Sequence, residues 1–305
     1  MKKVLVFDGI AQTAITYLES NGIEVISNQQ HDDNDFITHS DADGMILMMH
    51  PISEKIIAQM PKLKVIARYG VGYDNVNLDD ANAHDIVVTN TPGANATAVA
   101  ETAIMHMLMA GRLFYQQRLS ITEDVNEVKI GQEITNKTVG IIGFGAIGQK
   151  IDQLLTGFNV NVLAYARHNK VVKNGRMASL EEIYTQSDFV VMALPATSET
   201  NNMINATVFK KMKSNAVLVN IGRGTVIDEQ ALVNALKSGE IAGAGLDVVA
   251  IEPISEENEL LSLPNVFVTP HVAAKSREAF DTVGLTAAEE VVRVLNDQTP
   301  FFKVN

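Results

Sequence analysis

Short apolar runs recur along the chain, each separated from the next by a stretch of helical periodicity. They are VLVF, IEVI, GMILMM, KVIA and IVVT in the first hundred residues, then TVGIIG, VNVLAY, DFVVMAL, AVLVN, AGAGLDV and NVFVTPH. A strand buried on both faces reads as an unbroken apolar run, and strands that alternate with helices predict parallel sheets covered by helices on each side. At 305 residues the chain exceeds the usual span of one hydrophobic core, so two domains are expected. A helical stretch from near Thr97, AVAETAIMHMLMAGRL, and the polar segment ITEDVNEVKIGQEITN separate the two series of strands. After His271 a last helical pattern, SREAFDTVGLTAAEEVVRVL, has no sheet of its own left to finish, and it is expected to return to the first domain.

The second series opens on GIIGFGAIGQ, where Gly143, Gly145 and Gly148 stand at G-x-G-x-x-G spacing. Such a match alone is weak, because loops collect glycine; its flanks give it meaning. TVGII before it suits a buried strand. Ile151, Leu154, Leu155 and Phe158 after it fall on one predicted helix face. Strand, glycine turn and helix in that order place backbone N–H groups and the positive end of a helix dipole where a dinucleotide pyrophosphate binds. Gly143 would permit the tight turn, Gly145 the approach of the phosphates and Gly148 the packing of helix on strand. Six strands with helical crossovers then fit a doubly wound Rossmann domain.

The end of the next strand should read the adenosine ribose, and VLAYARHNK offers no acid there. Ala166, Arg167 and His168 remove the repulsion that a carboxylate would exert on a 2′-phosphate and add positive charge, with Lys170 as an accessory. NADP(H) is therefore favoured over NAD(H).

The formal net charge of −12 argues against nucleic acid as a partner, since phosphate backbones are held by clustered Lys and Arg. With no cysteine, disulfides, thiolate metal sites and a Cys nucleophile are excluded. The N-terminal MKKVLVFDGI has the lysines of a signal peptide, but Asp8 interrupts the apolar run, which reads as a buried first strand. No apolar stretch approaches the roughly 18 to 20 residues that span a bilayer. A cytoplasmic protein without membrane contact is expected. HDDNDF at 31–36 has the residue types of a metal site but reads as a solvated loop, so no metal is assigned.

Three further stretches sit near predicted strand C-termini, where open α/β sheets bind ligands. VNIGRGTVID, GLDVVAIEP and VTPHVAAKS bring Arg223, Glu252 and His271. Reduction of a carbonyl needs an acid for the developing alkoxide, and histidine serves both directions near neutrality. A carboxylate beside it would hold the imidazolium, and a guanidinium can grip a carboxylate or carbonyl through parallel hydrogen bonds. Singly, each residue also fits a structural part: a surface turn for Arg223, a solvated loop for Glu252, a core histidine for His271.

Together, Gly-Arg-Gly after a strand, the LDV and EP elements, and TPH resemble the D-isomer-specific 2-hydroxyacid dehydrogenase family, as does RYGVGYDNVNLDDANAHDIVVTNTPGANATAVAE at 68–101. The resemblance covers nearly the whole chain. It implies a Rossmann cofactor domain, residues 99–275, inserted into a flavodoxin-like substrate domain formed by 1–98 and 276–305, with the substrate in a cleft between them and a homodimer built chiefly by the cofactor domain. It implies Arg223 on the substrate carboxylate and keto oxygen, His271 as general acid/base and Glu252 as its partner. It further implies the backbone N–H groups of Val71 and Gly72 on the carboxylate, Asp247 facing the nicotinamide carboxamide, Ala146 and Ile147 at the pyrophosphate, and Thr102 and Pro195 among the cofactor-binding residues. Many members carry a tryptophan ahead of the cofactor strand, where this chain has ITEDVNEVKIG and no tryptophan at all. Ala273 and Ala274 stand where glycine is frequent; neither departure is expected to touch the chemistry.

The loop MMHPIS should line the substrate pocket, with Met48 and Met49 as adaptable apolar surface and His50 for a polar end. It contains no arginine for a phosphate, which favours a small 2-keto acid such as glyoxylate, hydroxypyruvate or a branched-chain keto acid over a phosphoglycerate dehydrogenase-like activity. Formate dehydrogenases share the architecture but pair the active-site histidine with glutamine, against Glu252. A nucleotide-sensing corepressor that keeps the fold is the non-enzymatic alternative.

Overall fold

A computed structural model of the chain describes residues 1–122 and 129–305, so most of the polar segment that replaces the tryptophan region lies outside the described residues. The chain divides into two compact units, 1–95 with 275–305, and 96–274.

The first unit contains β1 (Lys2–Phe7), β2 (Ile23–Asn28), β3 (Gly44–Leu47), β4 (Val65–Arg68) and β5 (Val87–Thr89), in the order β2-β1-β3-β4-β5. All four pairings are parallel. This is the flavodoxin-like doubly wound order. Successive side chains point to opposite faces of a strand. Val4 and Val6 accordingly enter one core with Leu18 of the helix Gln12–Ser20, while Leu5 enters the other with Phe36 and Ile56. The helix Arg277–Leu295 closes the first core through Val283, Ala287 and Val291, so the end of the chain does return to the first sheet. Its Glu290, only 1% exposed, accepts the N–H groups of Phe301 and Phe302 and ties down the tail. HDDNDF is not a loop throughout. Asp32 caps a short helix, Asp33–Ile37, whose Phe36 is fully buried.

The second unit contains β6 (Thr138–Ile142), β7 (Asn161–Tyr165), β8 (Gly175–Met177), β9 (Phe189–Met192), β10 (Val217–Asn220), β11 (Gly243–Leu246) and β12 (Val266–Val268). Their order, β12-β11-β10-β9-β6-β7-β8, is the Rossmann arrangement extended by one strand, with its topological switch between β6 and β9. Seven strands replace the six expected. The extra one, β8, is a three-residue edge strand, GRM, with Gly175 and Arg176 exposed and no apolar run to announce it. The helix after the glycine turn, Ala146–Leu154, is also shorter than its pattern suggests. At Leu155 it tightens into a 3-10 turn; Gly148, Ile151, Asp152 and Leu155 make up the buried face, and Leu154, 37% exposed, lies at its margin.

Candidate active site

Parallel register aligns the ends of five strands of the second unit. Ile142 is level with Met192, Met192 with Asn220, Asn220 with Leu246, and Leu246 with Val268. Every candidate of this unit that follows a strand therefore emerges at one sheet edge: the glycine turn after β6, Pro195 after β9, Arg223 after β10, Asp247 and Glu252 after β11, and His271 after β12. At about 4.8 Å per strand, β10 to β12 lie roughly 10 to 19 Å from the glycine turn, a span suited to an extended dinucleotide.

The three glycines differ in what they do. Gly143 has φ +102°, and a Cβ there would meet the Ala193 carbonyl oxygen at 2.4 Å. A Cβ on Gly148 would meet the Gly143 oxygen at 2.5 Å, whereas one on Gly145 would meet nothing within 4 Å. Two glycines are thus required by the protein's own packing, and the middle one opens onto free space at the N-terminus of Ala146–Leu154. The first N–H groups of a helix have no intrahelical acceptor. Those of Ala146 and Ile147 open the helix beside that space, Ala146 exposed and Ile147 partly buried, and the donor set fits a pyrophosphate. The carbonyl of Tyr165 accepts from both Gly143 and Phe144, which brings the end of β7 against this turn. Arg167 and His168 follow immediately and are exposed, while Ala166 is partly buried.

His271 Nδ1 lies 2.7 Å from Glu252 Oε2, both side chains partly exposed. With Nδ1–H donated to the carboxylate, Nε2 is left for proton exchange with a ligand. His271 adopts φ +52°, unusual for a residue with a side chain, and its N–H is held by the carbonyls of Asp247 at 2.8 Å and Thr269 at 3.0 Å. Asp247, 1% exposed, accepts from the Thr269 hydroxyl at 2.6 Å and the N–H groups of Val272 and Ala273 at 2.9 and 2.8 Å. Its carboxylate thus anchors the His271 turn, a part the sequence reading had not assigned it. Thr102 donates to the Ala273 carbonyl at 3.3 Å, so its hydroxyl also holds this turn. Ala273, set aside as remote from the chemistry, is a point of attachment for both.

Arg223 stands between glycines that its surroundings require. A Cβ on Gly224 would fall 1.8 Å from the Val249 oxygen, and one on Gly222 would fall 2.5 Å from the Leu194 oxygen. Asn220, fully buried, fastens this turn by accepting from Gly222 N–H and donating to the Arg223 carbonyl. The contact at Gly224 seats the Arg223 turn on the backbone that leads to Glu252. Glu229 fastens the other side of that segment, accepting from Ala250 N–H and the Asn258 amide.

In the first unit, Val71 and Gly72 follow β4 at the C-terminal edge of its sheet, and Asn90 donates to the Val71 carbonyl at 2.7 Å. His50 Nε2 is 3.1 Å from Asp33 Oδ1 and its ring packs at 5.0 Å from Phe36, so its polar edge is engaged within the protein. The MMHPIS loop is not without a guanidinium. Arg68 reaches it from β4, with one N–H donor 3.8 Å from Met49 Sδ, while others engage Asn75 and the Tyr69 carbonyl.

A Rossmann sheet with a glycine turn open to a pyrophosphate, and a His–Glu pair at the same edge, defines a nicotinamide-dependent oxidoreductase. Residues 104–273 match the family model for the NAD binding domain of D-isomer specific 2-hydroxyacid dehydrogenases. The chain belongs to this family. It is 35% identical to a glyoxylate reductase from Pyrococcus furiosus, across 99% of this chain and 95% of that protein. It is 36% identical to a D-3-phosphoglycerate dehydrogenase from Archaeoglobus fulgidus, across 96% of this chain but only 57% of that protein. An NADPH-dependent glyoxylate/hydroxypyruvate reductase from Sinorhizobium meliloti, solved in complex with NADP and malonate, superposes with a TM-score of 0.86 at 30% identity, covering 99% of this chain and 96% of that one. No helix among the described residues is long and apolar enough to cross a membrane.

Proposed function

We propose that the protein reduces a small, unphosphorylated 2-keto acid to the D-2-hydroxy acid, using NADPH in preference to NADH. The observation that carries this reading is the 2.7 Å His271–Glu252 pair at the sheet edge that also bears Arg223 and the glycine turn. When bound, the reduced nicotinamide supplies a hydride to the carbonyl carbon. His271 Nε2 gives a proton to the oxygen as its charge develops, and Glu252 stabilises the imidazolium through Nδ1. Arg223 orients the keto oxygen and the carboxylate, and the Val71 and Gly72 N–H groups hold the carboxylate. Gly145, Ala146 and Ile147 receive the pyrophosphate. Asp247 anchors the turn of His271 and keeps one lone-pair direction for the carboxamide, while Thr102 and Pro195 border the cofactor. The preference for NADPH is supported by exposed Arg167 and His168 at the ribose position.

A homodimer is supported by the apolar residues Met105, Leu108, Phe114 and Tyr115, all exposed on the helices Ala96–Gly111 and Phe114–Thr122. A cytoplasmic location fits the cysteine-free, acidic chain. The test follows NADPH and NADH absorbance with glyoxylate, hydroxypyruvate, a branched-chain 2-keto acid and 3-phosphohydroxypyruvate. Turnover of an unphosphorylated acid with NADPH is expected. Arg68 beside Met49 and the Archaeoglobus relative favour the phosphorylated substrate as the second reading, and preference for it would overturn the first.

A further inference from the structure

The helix Ala96–Gly111 carries a histidine, His106, that is fully buried and has no part in the mechanism above. Its Nε2 lies 3.0 Å from Thr269 Oγ1, and its Nδ1 has no hydrogen-bond partner among the described residues. This asymmetry follows from the Thr269 hydroxyl. Thr269 has one O–H proton and gives it to Asp247 Oδ1 at 2.6 Å. It can therefore only accept from His106, which sets the tautomer: Nε2 carries the proton and Nδ1 is bare. Nδ1 is turned toward Gly245 of β11, where a Cβ would come within 3.0 Å of it. The missing side chain at Gly245 is what lets the histidine settle against the sheet. Burial lowers the His106 pKa to about 4, against a smaller opposing pull from Asp247, so the ring is neutral at ordinary pH.

These bonds form a continuous line from the helix to the reacting residue. His106 orients the Thr269 hydroxyl, and that hydroxyl, with the Val272 and Ala273 N–H groups, orients the Asp247 carboxylate. The Asp247 carbonyl holds the N–H of His271, whose left-handed backbone needs such fixing. We propose that His106 is a positioning residue for the acid/base histidine, acting through Thr269 and Asp247 to hold the His271 turn in its reactive conformation. The proposal rests on the reading of His271 given above. It adds a residue in the chain's interior, and it distinguishes His106 from a side chain that merely fills space beside Phe267, whose ring centroid is 5.2 Å away.

The test compares His106→Leu, which keeps the bulk and loses the donor, with His106→Gln, whose amide N–H can replace Nε2–H. Two quantities are read on the full-length protein: steady-state kcat and KM, and the side-chain N–H signal of His271 by NMR in the cofactor-free protein, assigned with His271→Asn. His106→Leu is expected to lower kcat about tenfold or more, with the dissociation constant for NADPH within about twofold and the His271 signal shifted or broadened. His106→Gln is expected to keep kcat within about threefold of the wild type and to restore the signal. If His106→Leu unfolds, Thr269→Val removes the same link with His106 in place and must show the same losses. An unchanged kcat and His271 signal in the leucine variant, or a glutamine variant as impaired as it, overturns the proposal. Should the wild type reduce no 2-keto acid, the proposed function fails, while the NMR comparison still decides whether His106 positions His271.

Discussion

Alanine in place of each motif glycine separates the groups that build the cofactor turn from the one that serves the cofactor. A Cβ at Gly145 meets nothing within 4 Å, and φ there is −78°, a value alanine adopts without strain. Gly145→Ala should cost on the order of 1 kcal/mol at most, a fall of roughly 2 to 4 °C in melting temperature, because Gly145 is the N-cap of the helix and alanine caps less well than glycine. The added methyl group occupies the space through which a phosphate would reach the Ala146 and Ile147 N–H groups. Loss of one hydrogen bond to a charged phosphate is worth about 1.5 to 3 kcal/mol. At 1.4 kcal/mol per decade, this weakens NADPH binding by roughly 12- to 140-fold. Gly143→Ala should behave in the opposite way. Its backbone sits at φ +102°, with a Cβ 2.4 Å from the Ala193 carbonyl oxygen, so a loss of at least about 2 kcal/mol in stability is expected, roughly 4 to 8 °C. Thermal melts and NADPH fluorescence titrations on the two variants suffice. A Gly145→Ala protein that binds NADPH as tightly as the wild type would show that the open face of the turn is not the phosphate site. A Gly145→Ala protein as unstable as Gly143→Ala would remove the distinction itself.

Three other substitutions address the rest of the site. His271→Ala should reduce kcat by about a hundredfold or more with NADPH binding retained, as fluorescence titration and steady-state kinetics would show; near-normal turnover contradicts an acid/base role. Arg167→Asp should move the ratio of kcat/KM values from NADPH toward NADH by at least about tenfold, and a ratio that stays put removes Arg167 from cofactor selection. His106 makes stability depend on pH. With its pKa lowered from 6.5 to about 4, the unfolded chain binds the extra proton first as the solution is acidified, so stability falls from pH 6.5 toward 4. Integrated over that window the contribution is about 3 kcal/mol. Denaturant unfolding of the wild type should lose more stability there than His106→Gln does, and parallel curves would show that the ring is not held neutral.

The architecture was legible because its causes are local. Short apolar runs mark the strands, unbroken where both faces are buried and interrupted by Glu24 in the half-buried edge strand β2, and these gave every strand of both sheets except β8. That strand escapes because its pairing with β7 does not depend on apolar side chains. Gly175 presses so close to β7 that a Cβ would fall 2.0 Å from the Val162 oxygen, and close backbone approach carries no hydrophobic period. The helix face drawn through Leu154 failed for a related reason. The buried face is centred on Gly148, Ile151, Asp152 and Leu155, so Leu154 falls at its margin, and a glycine and a carboxylate fill places that an apolar pattern does not count.

The site divides along the same line. Glycines forced by backbone approach leave a mark in the sequence, and Arg223, Glu252 and His271 were placed by their position after strands and by family spacing. The groups that hold them leave no comparable mark. The Asp247 carboxylate bonds to residues 22 to 26 positions away, and His106 meets Thr269 across 163 positions. Neither separation is a period of any helix or strand, and each bond exists only because the parallel register sets Leu246 beside Val268 and the helix Ala96–Gly111 lies against β11 and β12. A residue that handles the proton can be recognised by its type, because few side chains do that chemistry. A residue that aims it can be any donor or acceptor the fold happens to deliver, and histidine at position 106 resembles a core residue until the single hydroxyl proton of Thr269 is followed to Asp247.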